Sequence, residues 1–149
     1  MKMKKFFLKK YSSVPRDELF QISTDIENFA SVMPNYFKSL SVVEDSSKEK
    51  VVDEQISFLG ITTNVKSKHA VVPPNMHEVH ILTGHLRGTS FIERYEKSGE
   101  GTEVQIDVSL CLNGLIRFIP IMEDIIARRM KSIFNEFIRC SEIFSKKTT

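Results

Sequence analysis

The chain has 149 residues, the length of one ordinary domain with a continuous core. Hydrophobic residues make up 41% and charged residues 27%, which excludes a disordered chain. Twenty-one basic and 19 acidic side chains are mixed along the sequence to a net charge of +2, so no basic face for nucleic acid is expected.

The basic opening around Phe6, Phe7 and Leu8 is broken by Lys9 and Lys10, too short an apolar run for a secretory leader. No run reaches the ~18 apolar residues of a membrane span. A cytoplasmic protein is the expectation, with Cys111 and Cys140 as thiols rather than a disulfide. No repeat, low-complexity tract or Pro/Gly/Ser linker divides the chain, so residues 1–149 are expected to form a single domain.

Phe6 to Tyr11 reads as a first strand. Pro15, with Asp17 and Glu18 after it, suits a helix start, because proline fits the first turn and acids favour the positive end of the helix dipole. Leu19, Phe20, Ile22, Ile26, Phe29, Val32 and Met33 continue at helical spacing. Asp25 is placed to cap a second short helix, which Pro34 ends.

The period then changes from helical to two. Leu40 and Val42 alternate with serines, and a turn at 45–48 follows. Val52, Glu54, Ile56 and Phe58 form one face of the next strand, ended by Gly60. Ile61, Thr63, Val65, Ser67, His69 and Val71 form one face of another, ended by Pro73-Pro74-Asn75. Strands over 76–83 and 89–96 follow, separated by Gly84 and Gly88. The second of these has two phases open, Ser90, Ile92 and Arg94 inward or Phe91, Glu93 and Tyr95 inward. After Gly99 and Gly101 the last strand alternates most cleanly, with Val104, Ile106, Val108, Leu110 and Leu112 on one face.

From Phe118 to Phe144 the pattern is helical. Met122, Ile126, Met130, Ile133, Phe137, Cys140 and Phe144 form one apolar stripe, and a helix of that length spans ~40 Å. Such a stripe needs a long concave surface to cover it. The order of one strand, two short helices, six strands and one long helix makes an α+β fold with a curved antiparallel sheet of about seven strands.

Several residues together resemble the START-like and polyketide-cyclase-like superfamily with its helix-grip fold. They are Val14-Pro15-Arg16-Asp17-Glu18-Leu19-Phe20-Gln21-Ile22, then Asp25, Phe29 and Met33-Pro34, then Gly101-Thr102-Glu103-Val104, and finally Gly114, Arg117 and Pro120. The glycine-rich loop of the plant allergen branch is missing at 45–50. The resemblance implies a cavity between sheet and long helix for a hydrophobic small molecule or lipid. It is compatible with transient membrane contact, and it leaves the oligomeric state open. The cavity is assigned to Phe29, Met33, Glu54, Ile56, Phe58, Val65, His69, Ile81, Arg94, Val108, Leu110, Met122, Ile126, Met130, Ile133 and Phe137.

The chemistry-bearing residues are few. Four histidines (His69, His77, His80 and His85) lie on neighbouring strands, but His77 and His80 are three apart and point to opposite faces, so no metal site is expected. Glu54 shares a face with Ile56, and Arg94 is its candidate partner if that strand turns this way. No nucleophile elbow, catalytic cysteine setting or phosphate-binding glycine loop is present, so no cofactor is expected. The expectation is therefore a non-catalytic carrier or sensor. A cyclase or dehydratase using the same cavity is the alternative, and two or more acid–base groups deep in the cavity would favour it.

Overall fold

A computed structural model describes residues 3–46, 48–58 and 60–148 of the chain. In chain order it contains β1 (Lys4–Ser12), α1 (Arg16–Thr24), α2 (Ile26–Val32), β2 (Phe37–Asp45), β3 (Glu49–Phe58), β4 (Ile61–Val72), β5 (Met76–Ile81), β6 (Ser90–Ser98), β7 (Gly101–Leu110), a 3-10 turn (Gly114–Phe118) and α3 (Met122–Thr148). The seven strands form one antiparallel sheet in the order β1-β7-β6-β5-β4-β3-β2. This is the expected α+β helix-grip architecture, with β1 returning to pair with β7 and α3 lying across the inner face.

The period-two pattern decides which face is buried. On β7, Val104, Ile106, Val108 and Leu110 are at most 2% exposed, while the residues between them face outward. Residues directly opposite on neighbouring strands share a face. Because Phe91, Glu93 and Tyr95 pair with Val108, Ile106 and Val104, β6 turns these three inward. Arg94 is therefore on the outer face, where it meets Asp107 at 2.6 Å, and not in the cavity. The register of β7 settles the phase that the β6 sequence left open.

Three local details differ from expectation. Asp25 precedes α2 but makes no capping bond; its carboxylate accepts from the Asn28 side chain at 2.9 Å. The long helix starts at Met122 rather than Phe118. Pro120 and a left-handed Ile121 (φ 62°) interrupt the chain there, leaving Leu115, Phe118 and Ile121 exposed. The helix keeps its expected length, 27 residues or ~40 Å, because it runs on to Thr148. Gly101 is where β7 leaves the hairpin, and a Cβ there would run into the Ser12 carbonyl and the Tyr11 ring.

The core lies between α3, the α1–α2 pair and the β6–β7–β1 part of the sheet. Ile126, Met130, Phe134, Phe137 and Ile138 of α3 are buried in it, and Met122, Ile133, Cys140 and Phe144 pack partly buried against it. Rings fix the angles of approach: Phe91 meets Phe134 edge-on at 5.3 Å, and Phe20 meets Tyr95 at 5.5 Å. Cys111 and Cys140 form no disulfide. Among the described residues, no helix is long and apolar enough to cross a membrane.

Candidate functional site

Toward β2–β5 the sheet moves away from α3 and the core opens into a cavity of about 170 Å³. Its apolar walls come from Ile26, Phe29, Met33, Tyr36 and Phe37 on one side and Met130, Ile133, Phe134 and Phe137 of α3 on another. The sheet contributes Leu40, Ile56, Val79, Ile81 and Phe91, and with them a set of polar side chains: Glu54, Ser57, Ser67, His69, His77 and Glu93. Ser23 and Leu86 complete the lining.

Five of those polar groups, with Tyr95, form one continuous hydrogen-bonded line across four strands. The Ser67 hydroxyl donates to Glu54 Oε1 at 2.5 Å. His69 Nε2 lies 3.1 Å from the same oxygen and 2.9 Å from the Ser67 hydroxyl. His69 Nδ1 is 2.8 Å from His77 Nε2, with the two rings inclined at 23°. His77 Nδ1 is 2.9 Å from Glu93 Oε1, which also accepts the Tyr95 hydroxyl at 2.8 Å. Each carboxylate is thus held by one hydroxyl and one imidazole. An unpaired buried carboxylate costs several kcal/mol or changes its protonation, and this pairing is what offsets that cost.

Strand register explains why these side chains meet. Glu54 on β3 is opposite Val65, so Ser67 and His69 are the next inward residues along β4. His69 pairs with Val79 and Val71 with His77, which sets the two imidazoles on a diagonal between β4 and β5. His77 is directly opposite Glu93 on β6. Tyr95 is fully buried beyond it, and burial first, then the Glu93 charge, pushes its phenol well above the usual 10.0.

A second cavity of about 470 Å³ adjoins the first, and Ile26, His69 and His77 belong to the walls of both. Its remaining walls are more polar and include Asp17, Gln21, Lys48 and Lys50, with Pro73 and Pro74 at the β4–β5 turn.

Of the residues assigned from sequence, Phe29, Met33, Glu54, Ile56, His69, Ile81, Met130, Ile133 and Phe137 line the inner cavity. Val108, Leu110 and Ile126 are buried in the core away from it, and Met122 packs at its edge, because that end of the sheet is in direct contact with α3. Val65 shares the Glu54 face but lies outside the lining. Phe58 ends β3, and its side chain lies outside the described residues. The partner of Glu54 is His69, not Arg94. Sequence reasoning missed Ser67, His77 and Glu93 as site residues. The signal for His77 was its phase with Val79, and for Glu93 the alternative phase of β6. His80 is on the outer face beside Glu78, as its offset from His77 requires. No group of three or more His, Cys, Asp or Glu arranged to hold a metal occurs among the described residues.

The sequence family described as "Polyketide cyclase / dehydrase and lipid transport" matches residues 12–139, and the chain belongs to it. Crystal structures show the same fold at low identity. Ara h 8.0201 is 19% identical with a TM-score of 0.77, over 96% of this chain and 97% of its own. The Zhui aromatase/cyclase from Streptomyces sp. R1128 is 13% identical with a TM-score of 0.80, over 95% and 94%. A START superfamily protein from Mycobacterium smegmatis is 11% identical with a TM-score of 0.76, over 97% and 99%. No curated protein matches.

Proposed function

We propose that the chain binds a small apolar molecule in the inner cavity, with a polar group of the ligand set against the Glu54–Glu93 line. The observation that carries this is the lining itself, largely apolar with its charged groups gathered on the sheet side. Volume limits the ligand: an apolar cavity of roughly 150 Å³ takes a molecule the size of benzene, so about 170 Å³ holds one ring or a short chain. A larger lipid would have to reach the second cavity past His69 and His77.

Native mass spectrometry of the purified protein is expected to show a bound apolar molecule, and cyclohexanone is expected to give saturation-transfer signals with it. Ile56→Trp, which fills the cavity, should abolish those signals while leaving the circular dichroism spectrum unchanged. Undiminished transfer in the filled variant would overturn the proposal.

A second reading, an acid–base enzyme of the cyclase or dehydratase type, is favoured by the four titratable groups along one wall, His69, His77 and Glu93 buried and Glu54 half-buried. One structural neighbour is an aromatase/cyclase, which supports this reading by analogy of fold alone.

A further inference from the structure

The line between the two carboxylates contains three contacts: Glu54 Oε1 to His69 Nε2, His69 Nδ1 to His77 Nε2, and His77 Nδ1 to Glu93 Oε1, at 3.1, 2.8 and 2.9 Å. Each is a hydrogen-bond distance, so each needs a proton between its heavy atoms. Two ionised glutamates and two neutral imidazoles bring only two protons, one for each ring. That would leave two lone pairs facing each other, or a carboxylate facing a bare nitrogen. Three contacts call for three protons, and the unit then carries one net negative charge wherever the extra proton sits.

Two arrangements of those protons are mirror images. With Glu54 protonated, both rings carry hydrogen on Nδ1 and the charge is on Glu93. With Glu93 protonated, both rings carry it on Nε2 and the charge is on Glu54. One step of each proton along its own hydrogen bond converts the first into the second without moving a heavy atom. The hydroxyls of Ser67 and Tyr95 are placed to hold the charge at either end.

The line is also accessible to a ligand. All contacts of Glu54 and of Glu93 among the described residues fall on Oε1, which leaves Oε2 of each as an acceptor, and both residues line the inner cavity. His69 and His77 form part of the wall of the second, more polar cavity as well, where Lys48, Lys50 and Asp17 are the charged neighbours.

We propose that Glu54, His69, His77 and Glu93 form one acid–base unit that takes a proton from a carbonyl compound bound in the inner cavity and returns one to it. The proposal rests on the inner cavity being a ligand site. In the step, the carboxylate takes the proton from the carbon next to the carbonyl. The C–H electron pair becomes the C=C bond, and the carbonyl π pair moves onto oxygen to give an enolate. The line's three protons stay in their contacts, their one-step shift having set beforehand which glutamate carries the charge, and the carboxyl so formed exchanges its proton with water at its Oε2. A solvent proton then returns by the same route to the carbon, and the carbonyl re-forms. In deuterium oxide one C–H becomes one C–D, and nothing is oxidised or reduced.

Cyclohexanone in deuterium oxide, with the protein labelled by ¹⁵N-histidine, tests both halves. Exchange at the carbons next to the carbonyl is expected to run about a hundredfold faster than with equal free glutamate and imidazole, and to fall at least about tenfold in Glu54→Gln and in Glu93→Gln. The ring nitrogens give a readout independent of the ketone. Glu54→Gln leaves the charge on Glu93 and should set both rings to Nδ1–H, whereas Glu93→Gln should set both to Nε2–H. A structural network without proton transfer along it would leave each ring's tautomer indifferent to the distant glutamate. The same tautomer in both variants, or bound cyclohexanone without accelerated exchange, overturns the relay. Failure of cyclohexanone to bind overturns the cavity reading instead, and the tautomer swap then still decides the relay. If a variant does not fold, a through-hydrogen-bond ¹⁵N–¹⁵N coupling between His69 Nδ1 and His77 Nε2 in the wild type supports the unit and its absence overturns it.

Discussion

Tyr95 is the residue on which burial and chemistry meet most directly. Its ring is 1% exposed and its hydroxyl donates to Glu93, so ionising it would place a second anion beside a carboxylate in a dry site. The folded state therefore holds this proton to a higher pH than the unfolded chain, whose tyrosines ionise near the ordinary 10.0. The unfolded state binds fewer protons in that window, so the contribution of Tyr95 is fully present below pH 10 and is lost as the pH rises through the raised value. Urea unfolding between pH 8 and pH 11 should show this loss, and Tyr95→Phe should flatten it. The same variant removes the hydroxyl donor to Glu93 Oε1 and should cost about 1–3 kcal/mol at pH 7. His69 was legible at this scale as an inward histidine from its phase with Val65 and Val71. Its partners were not legible, because a side chain fifteen positions away in sequence becomes a neighbour only through strand register.

At the scale of elements, the hairpin between β6 and β7 shows what a single position can require. Gly101 pairs with Ser98 at the turn, and the space a side chain would need is taken by backbone of β1 and by the Tyr11 ring. Backbone cannot swing aside as the end of a flexible side chain can. Gly101→Ala should therefore destabilise by more than about 2 kcal/mol in thermal or urea unfolding, with the loss concentrated at the β1–β7 pairing. The β7 alternation was plain in sequence because its inward residues from Val104 to Leu110 are all aliphatic. The β6 strand was not, since Ser90, Ile92 and Arg94 alternate with Phe91, Glu93 and Tyr95 and both sets mix polar with apolar groups. Pairing with β7 chose the set with the larger apolar surface. The start of α3 was misplaced for a related reason. Leu115, Phe118 and Ile121 carry the apolar character of the stripe, but Pro120 and the left-handed Ile121 let the helix begin only after them, at Met122, and they remain exposed. Replacing Leu115 and Phe118 with serine should change unfolding stability by under about 0.5 kcal/mol each, because these side chains bury little.

On the scale of the whole molecule, the first and last strands pair across nearly the full length of the sequence, from Lys4 opposite Leu110 to Ser12 opposite Thr102. The α3 stripe then covers the sheet from within, and the two contacts make the chain depend on its ends as well as its middle. What the sequence by itself determined was the succession of elements, the α+β class and the two faces of β7 and α3. Those follow from periods of two and 3.6 that any stretch of chain displays locally. Nine of the residues it assigned lie along the inner cavity, seven of them apolar side chains and two, Glu54 and His69, polar ones on the same inward phase. Only the tertiary structure decided where the core is solid and where it opens, and which polar groups share the opening. The physical reason is that Glu54, His69, His77 and Glu93 come from four different strands. No local period relates them. The antiparallel register, fixed by packing across the whole sheet, brings their side chains to hydrogen-bond distance.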